Sequence, residues 1–168
     1  MLKKLFLLLL VVAPLAMFAQ DKFAYVNAEE VFSKMPELKD VESKLATKSE
    51  SIRKNAAAIE EEYNNKVKAF QNTPTDSLTE AIVVDRQKQL EDLQTRYQTF
   101  LQTSQQEYEK EQQTLITPLQ EKLRKAINDV GSENSYTYIL NAGALLYVNP
   151  SSAVDAGPKV KAKLGITN

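Results

Sequence analysis

The sequence predicts a mainly α protein with a small β part: one long antiparallel helical hairpin, or arm, on a small β-stranded oligomerisation base. Three observations predict it. From Glu37 to Val130 the chain has no glycine, and all four of its glycines (131, 143, 157 and 165) come later. Within that polar stretch apolar residues recur every three or four positions, the spacing of a solvated helix. Its one clear break is Asn72-Thr73-Pro74-Thr75-Asp76-Ser77, and short β-like runs, Phe23–Asn27 and Thr137–Val148, flank the whole.

The N-terminus reads as an export signal. Lys3 and Lys4 are followed by the apolar run Leu5–Val12, then Pro14 and the small residues Ala16 and Ala19. That is a charged region, a short hydrophobic region and a cleavage zone. Leu5–Ala19 is shorter than the about 20 apolar residues of a membrane span, so residues 1–19 are expected to be removed. With Lys3 and Lys4 gone, 19 basic residues face 22 acidic ones, a balance that does not suggest a nucleic-acid ligand. The chain has no Cys and no His. Disulfides are thereby excluded, so stability must come from packing or self-association. The commonest metal ligands and general bases are missing too. No catalytic, cofactor-binding or metal-ligating residue is expected, and the protein is not read as an enzyme. Glu60-Glu61-Glu62 and the alternating Glu107, Glu109 and Glu111 are acidic, but such spacings point different ways on a helix, so they read as solvated faces.

The elements follow in order. Phe23-Ala24-Tyr25-Val26-Asn27 alternates large and small residues like a short strand. Asn27-Ala28-Glu29-Glu30 looks like a capping box opening a brief helix through Phe32. Met35-Pro36 ends it, and Pro36 suits the start of the next helix. The first long helix carries Leu38, Val41, Leu45, Ile52, Ile59, Tyr63, Val67 and Phe70. Their spacing gives a narrow coiled-coil seam, interrupted at Lys48 and near Asn55 or Ala56. Pro74 stops this helix, and Ser77-Leu78-Thr79-Glu80 reads as a second capping box. A second long helix then runs to Val130, with Gly131 as its left-handed stop. The arm therefore spans residues 37–117, with its tip near 73–77, and the 36 residues of its first helix, 37–72, make it about 54 Å long at ~1.5 Å per residue. The base takes 20–36 and 118–168. A turn centred near residue 75 gives antiparallel partners whose numbers sum to roughly 150, so Leu45 is expected near Gln105, Leu38 near Gln112, and Pro118 level with Phe32.

Thr137–Asn141 and Ala144–Val148 read as a β-hairpin turning at Ala142-Gly143. Asn149-Pro150 ends it, and a last amphipathic helix (about 155–164) carries Val160 and Leu164. Three short strands cannot build an independent core and leave edges seeking partners. Self-association through the base is expected, with Tyr25, Val26, Tyr138, Leu140, Leu145 and Tyr147 as its residues. On the arm, Phe70, Ile82, Val83, Val84 and Phe100 are the candidate contact surface, because one two-helix seam cannot bury them all. Pro36 and Pro118 are candidate pivots at the arm's foot, the alternative being a static bend that fits arm to base; proline inside a helix removes a hydrogen bond and bends it. At the tip, Asp76-Ser77-Leu78 resembles an acceptor for serine O-glycosylation in some bacterial envelopes, although a capping role accounts for Ser77 as well.

Across its whole mature length the chain resembles the Skp (OmpH-like) periplasmic chaperones. The resemblance lies in Phe23-Ala24-Tyr25-Val26-Asn27-Ala28-Glu29-Glu30-Val31-Phe32 after an export signal, and in the long charged hairpin. It continues in Pro118-Leu119-Gln120-Glu121-Lys122-Leu123, Tyr136-Thr137-Tyr138-Ile139-Leu140-Asn141 and the closing Lys161-Ala162-Lys163-Leu164. It implies a jellyfish-like homotrimer whose strands merge into a hub. It also implies an ATP-independent periplasmic holdase that encloses unfolded outer-membrane β-barrel proteins between its arms. A non-catalytic coiled-coil scaffold or spacer binding a folded partner is the alternative. Lipopolysaccharide binding, which accompanies strongly basic arms in well-known members, is not carried over. Here residues 37–131 hold 14 basic and 17 acidic residues, which weakens long-range attraction of acidic ligands.

Overall fold

In the computed structural model residues 22–167 are described, so the export signal expected at 1–19 lies outside them. The chain is mainly helical with one small sheet, and it divides into two compact units. One is the arm, Pro36–Pro118; the other is the base, formed by the residues before Pro36 and those from Leu119 onward. Seven elements matter: β1 (Phe23–Val26), α1 (Ala28–Ser33), α2 (Glu37–Gln71), α3 (Glu80–Glu133), β2 (Tyr138–Asn141), β3 (Ala153–Asp155) and α4 (Gly157–Lys163).

In the arm, α2 runs 35 residues, about 53 Å at ~1.5 Å each. Its last turn closes with Asn72 N–H on the Lys68 carbonyl, after which Pro74 takes an extended backbone and cannot continue the helix. A single 3-10 turn, Thr75–Ser77, bridges to α3. The cap of α3 is Thr79 and not Ser77: Thr79 Oγ1 accepts from the Ile82 N–H at 3.4 Å, and its carbonyl accepts from the Val83 N–H. The later start of α3 moves the hairpin register. Lys48 pairs with Glu107 and not Gln102, and Lys66 with Gln89 and not Val84. α3 continues as helix through Pro118, whose missing N–H leaves the Thr114 carbonyl without its usual donor.

The base is built around β1, which lies between β2 and β3 and pairs parallel with both. Phe23 faces Tyr138 and Ala153, and Tyr25 faces Leu140 and Asp155. This overturns the expected hairpin over 137–148. Two strands parallel to the same central strand cannot be joined by a tight turn; they need a crossover. Residues 142–152 are that crossover. They begin with a 3-10 turn, Ala142–Ala144, and Leu145–Val148 join no ladder. The third strand lies beyond Asn149-Pro150, in a short segment that the sequence reading passed over.

Helix ends also differ from expectation. α1 is capped by Asn27, whose Oδ1 accepts from the Glu30 N–H at 3.0 Å. The Glu30 side chain turns to lysines instead of returning to the cap. α3 passes Gly131 and ends two residues later, with Tyr136 N–H on the Gly131 carbonyl and Ser135 N–H on that of Ser132. The left-handed residue of this C-terminal motif is Ser135, at φ 55. α4 ends in the same motif with the usual glycine, Gly165 at φ 72. At the start of α4, Asp155 Oδ1 accepts from the Gly157 N–H at 2.8 Å, and a Cβ on residue 157 would lie 2.9 Å from that oxygen. A larger residue there would displace the Asp155 carboxylate from this bond.

The base core is one cluster: Ala24 and Val26 of β1, Val31 of α1, Met35, Val130 of α3 and Val160 of α4 are all nearly inaccessible. Met35, 2% exposed, is among its largest side chains. Replacing it should leave a cavity. Met35→Ala is expected to lower unfolding free energy by about 2–5 kcal/mol, read as a lower urea midpoint at unchanged slope and fixed protein concentration.

Candidate functional site

The arm's seam is built from rows of alternating three- and four-residue steps. On α3 the row is Val83, Arg86, Leu90, Leu93, Tyr97, Phe100 and Ser104, none of them exposed. On α2, Val41 and Ile59 are the buried residues. The seam admits polar members that a search for apolar residues passes over. Ser104 is buried, and Arg86 stacks its guanidinium 5.6 Å from the Phe70 ring centre while donating to Thr73. Lys66 Nζ reaches Gln89 at 2.9 Å, and Gln94 donates to the Tyr63 hydroxyl at 3.1 Å. Ion pairs Lys48–Glu107 (2.9 Å) and Arg96–Glu62 (3.1 Å) cross the hairpin at its surface. Each is worth at most about 1 kcal/mol. A groove of about 400 Å³ opens beside the seam between Ile59, Tyr63, Leu93 and Tyr97.

These rows sort the arm candidates. Ile82 and Val84 are exposed, Val84 at 58%. Val83 and Phe100 occupy seam positions and are half-buried, and Phe70 is half-buried under Arg86. Leu101, 41% exposed, was missed. Its position was readable: once Tyr97, Phe100 and Ser104 form the row, a residue at 101 must point away.

The base shows the same division between its sheet faces. Parallel register partners share a face. Ala24 and Val26 point into the core, and Ile139 lies against Gly131, 3.5 Å from where a Cβ would be. Phe23, Tyr25, Tyr138 and Leu140 form the opposite face. Phe23 and Tyr138 stack with ring centres 6.1 Å apart and planes 13° apart, yet Tyr138 remains 60% exposed and Leu140 is exposed as well. Of the six base candidates, Val26 is therefore occupied inside its own chain. Tyr25 and Leu145 are half-buried, while Tyr138, Leu140 and Tyr147 are open. Leu146 in the crossover is fully exposed.

The base is tied together by lysines of α4. Glu30 Oε1 accepts from Lys161 at 2.7 Å and from Lys34 at 2.9 Å, joining α1 to α4. Lys163 pairs with Glu133, and Lys159 donates to Asn134 and lies over the Tyr136 ring. The hydrogen bond from Lys161, with that from Lys34 next, lowers the Glu30 carboxyl from 4.5 to about 2. Bonding to Glu133 raises the Lys163 ammonium above its ordinary value. Among the described residues no cluster of three or more His, Cys, Asp or Glu could hold a metal, and no helix is long and apolar enough to cross a membrane.

Comparison with known proteins matches these features to one family. The family model described as Outer membrane protein (OmpH-like) covers residues 22–164. The chain belongs to the OmpH-like family. A curated relative, the chaperone protein Skp of Yersinia enterocolitica, is 25% identical over 138 residues, covering 80% of this chain and 82% of that one. A solved OmpH-like outer membrane chaperone structure from Caulobacter crescentus CB15 superposes with a TM-score of 0.74 at 17% identity, covering 87% and 85% of the two chains. The mainly α architecture with a small sheet is thus shared with that structure, and the curated relative is a chaperone.

The Glu30 ion pairs set a pH dependence in the OmpH-like base. A carboxyl lowered in the folded state contributes stability above its unfolded value and loses it as pH falls toward the folded one. Between pH 4.5 and about 2 the wild type should therefore lose stability more steeply than Glu30→Gln, whose amide does not titrate. Urea midpoints measured across that window check this; parallel curves would contradict it.

Proposed function

We propose that the protein is an ATP-independent periplasmic holdase that keeps unfolded outer-membrane β-barrel proteins from aggregating and works as a homotrimer. The observation that carries the reading is apolar surface left open in a family of chaperones. The sheet face of Phe23, Tyr138 and Leu140 is bare, and Ile82, Val84 and Leu101 project from the arm. Parallel sheets are normally covered on both faces, so the bare face supports association of bases from several copies. The crossover residues Leu145 and Tyr147 lie next to that face in the chain and belong to the same proposed surface. A holdase needs many weak, non-directional contacts, since a client must be held and then released without ATP; scattered exposed residues meet that need better than one tight pocket.

In this reading residues 1–19 are the export signal, 20–36 and 118–168 the assembling base, and 37–117 the client-holding arm. Pro36 and Pro118 act as pivots at its foot. The arm's near balance of charge leaves apolar contact, and not electrostatic attraction, as the means of capture. Lipopolysaccharide is not among the proposed ligands.

Two outcomes are expected. Tyr138→Asp with Leu140→Asp should convert a native mass of three subunits into one, measured by light scattering, because two carboxylates would be buried without partners. Ile82→Ser with Val84→Ser should leave the native mass unchanged. The same pair should raise several-fold the chaperone concentration that suppresses aggregation of a urea-diluted β-barrel protein. Absence of protection by the wild type, together with tight binding to one folded coiled-coil partner, would favour the scaffold reading.

A further inference from the structure

The arm's tip carries a hydroxyl that neither the fold nor the chaperone reading uses. Ser77 closes the 3-10 turn Thr75–Ser77, and its backbone N–H donates to the Pro74 carbonyl at 3.0 Å. The capping role that would occupy its side chain belongs instead to Thr79. Ser77 Oγ is left exposed, with no hydrogen bond among the described residues. Asp76, also exposed, makes no ion pair there either, and the half-buried Leu78 follows. Of all the aspartates in the chain, Asp76 is the one followed by a hydroxyl residue. The acid–hydroxyl–aliphatic sequence thus stands at a loop tip, the kind of segment a modifying enzyme can lift into its cleft without unfolding a helix.

We propose that Ser77 is a site of O-glycosylation, taking an oligosaccharide from a lipid-diphosphate-linked sugar donor. In the transfer, Ser77 Oγ bonds to the anomeric carbon and gives its proton to a base of the transferase. The bond from that carbon to the diphosphate oxygen breaks, and its electron pair leaves with the lipid diphosphate. Nothing is oxidised or reduced. The exposed Asp76 carboxylate offers the transferase a charge to recognise, and the attached sugar hydrates a tip that also presents Ile82 and Val84.

This inference rests on export of the chain, which places it in the compartment of such donors. The test is intact-mass measurement of the full chain purified from the envelope fraction of its natural host. Wild type should exceed the mass of its mature sequence by a whole number of monosaccharide residues. Ser77→Ala should lose all of the added mass, Ser77→Thr should keep it, and Thr75→Ala, which leaves the acceptor intact, should match wild type. An envelope-located wild type at its sequence mass overturns the proposal while leaving the chaperone reading in place, and so does added mass that survives Ser77→Ala. A chain found unmodified in the cytoplasm overturns both.

Discussion

Phe23–Val26 is four residues long and lies between two parallel neighbours, and the base must be organised around that placement. Every backbone donor and acceptor of β1 can be satisfied on one side or the other, while its side chains divide between two faces. Ala24 and Val26 are small enough to let α1, α3 and α4 close over one face. Phe23 and Tyr25 place aromatic surface on the other, where the described residues leave Phe23 and its neighbour Tyr138 exposed. Strands this short gain little by themselves, so the covered face needs its full set of supports: Met35, Val130, Val160 and the lysines of α4 clamped onto Glu30, Asn134 and Glu133. Without the closing helix the central strand would keep its ladder and lose its roof.

The same placement explains what was legible in the sequence. The long helices were readable because glycine and proline are missing over spans where propensity accumulates residue by residue. Asn27 was readable as a cap because it is a local signal. The sheet was not, because pairing in a parallel sheet is non-local. Tyr138-Ile139-Leu140 and Ala144–Val148 look like two halves of a hairpin until β1 takes the first half from one side. β3, at three residues, carries no pattern that a period-two search could detect. The end of α3 was misplaced for a related reason. Gly131 is the residue type that usually takes the left-handed position, yet Ser135 takes it, because Tyr136 and Thr137 must meet Gly131 and Lys22 to start β2 in register.

On the arm, the sequence showed where apolar residues were and overlooked that the seam accepts others. Lys48, Lys66, Arg86 and Ser104 hold positions where a tightly packed coiled coil would place leucine. Each keeps the three–four rhythm and so keeps the helices in register, but each also reduces the apolar area removed from water. Counting apolar residues therefore overestimates how much of the arm is seam. Nor does such a count show that the row buries Phe100 by half and leaves Leu101 outside.

A seam of that kind has a consequence for how firmly the hairpin stays closed. Hydrophobic contact scales with area, and a hairpin that spends lysine, arginine and serine in its interface gains less from staying closed than one packed with leucine. The surface pairs Lys48–Glu107 and Arg96–Glu62 hold register at little energetic cost to break. Ile82, Val84 and Leu101 add exposed apolar surface outside that seam. In the proposed holdase, a seam held this loosely would let client contacts form and break without an energy source. The base shows the opposite choice: its core is concentrated in a few fully buried residues and clamped by ion pairs.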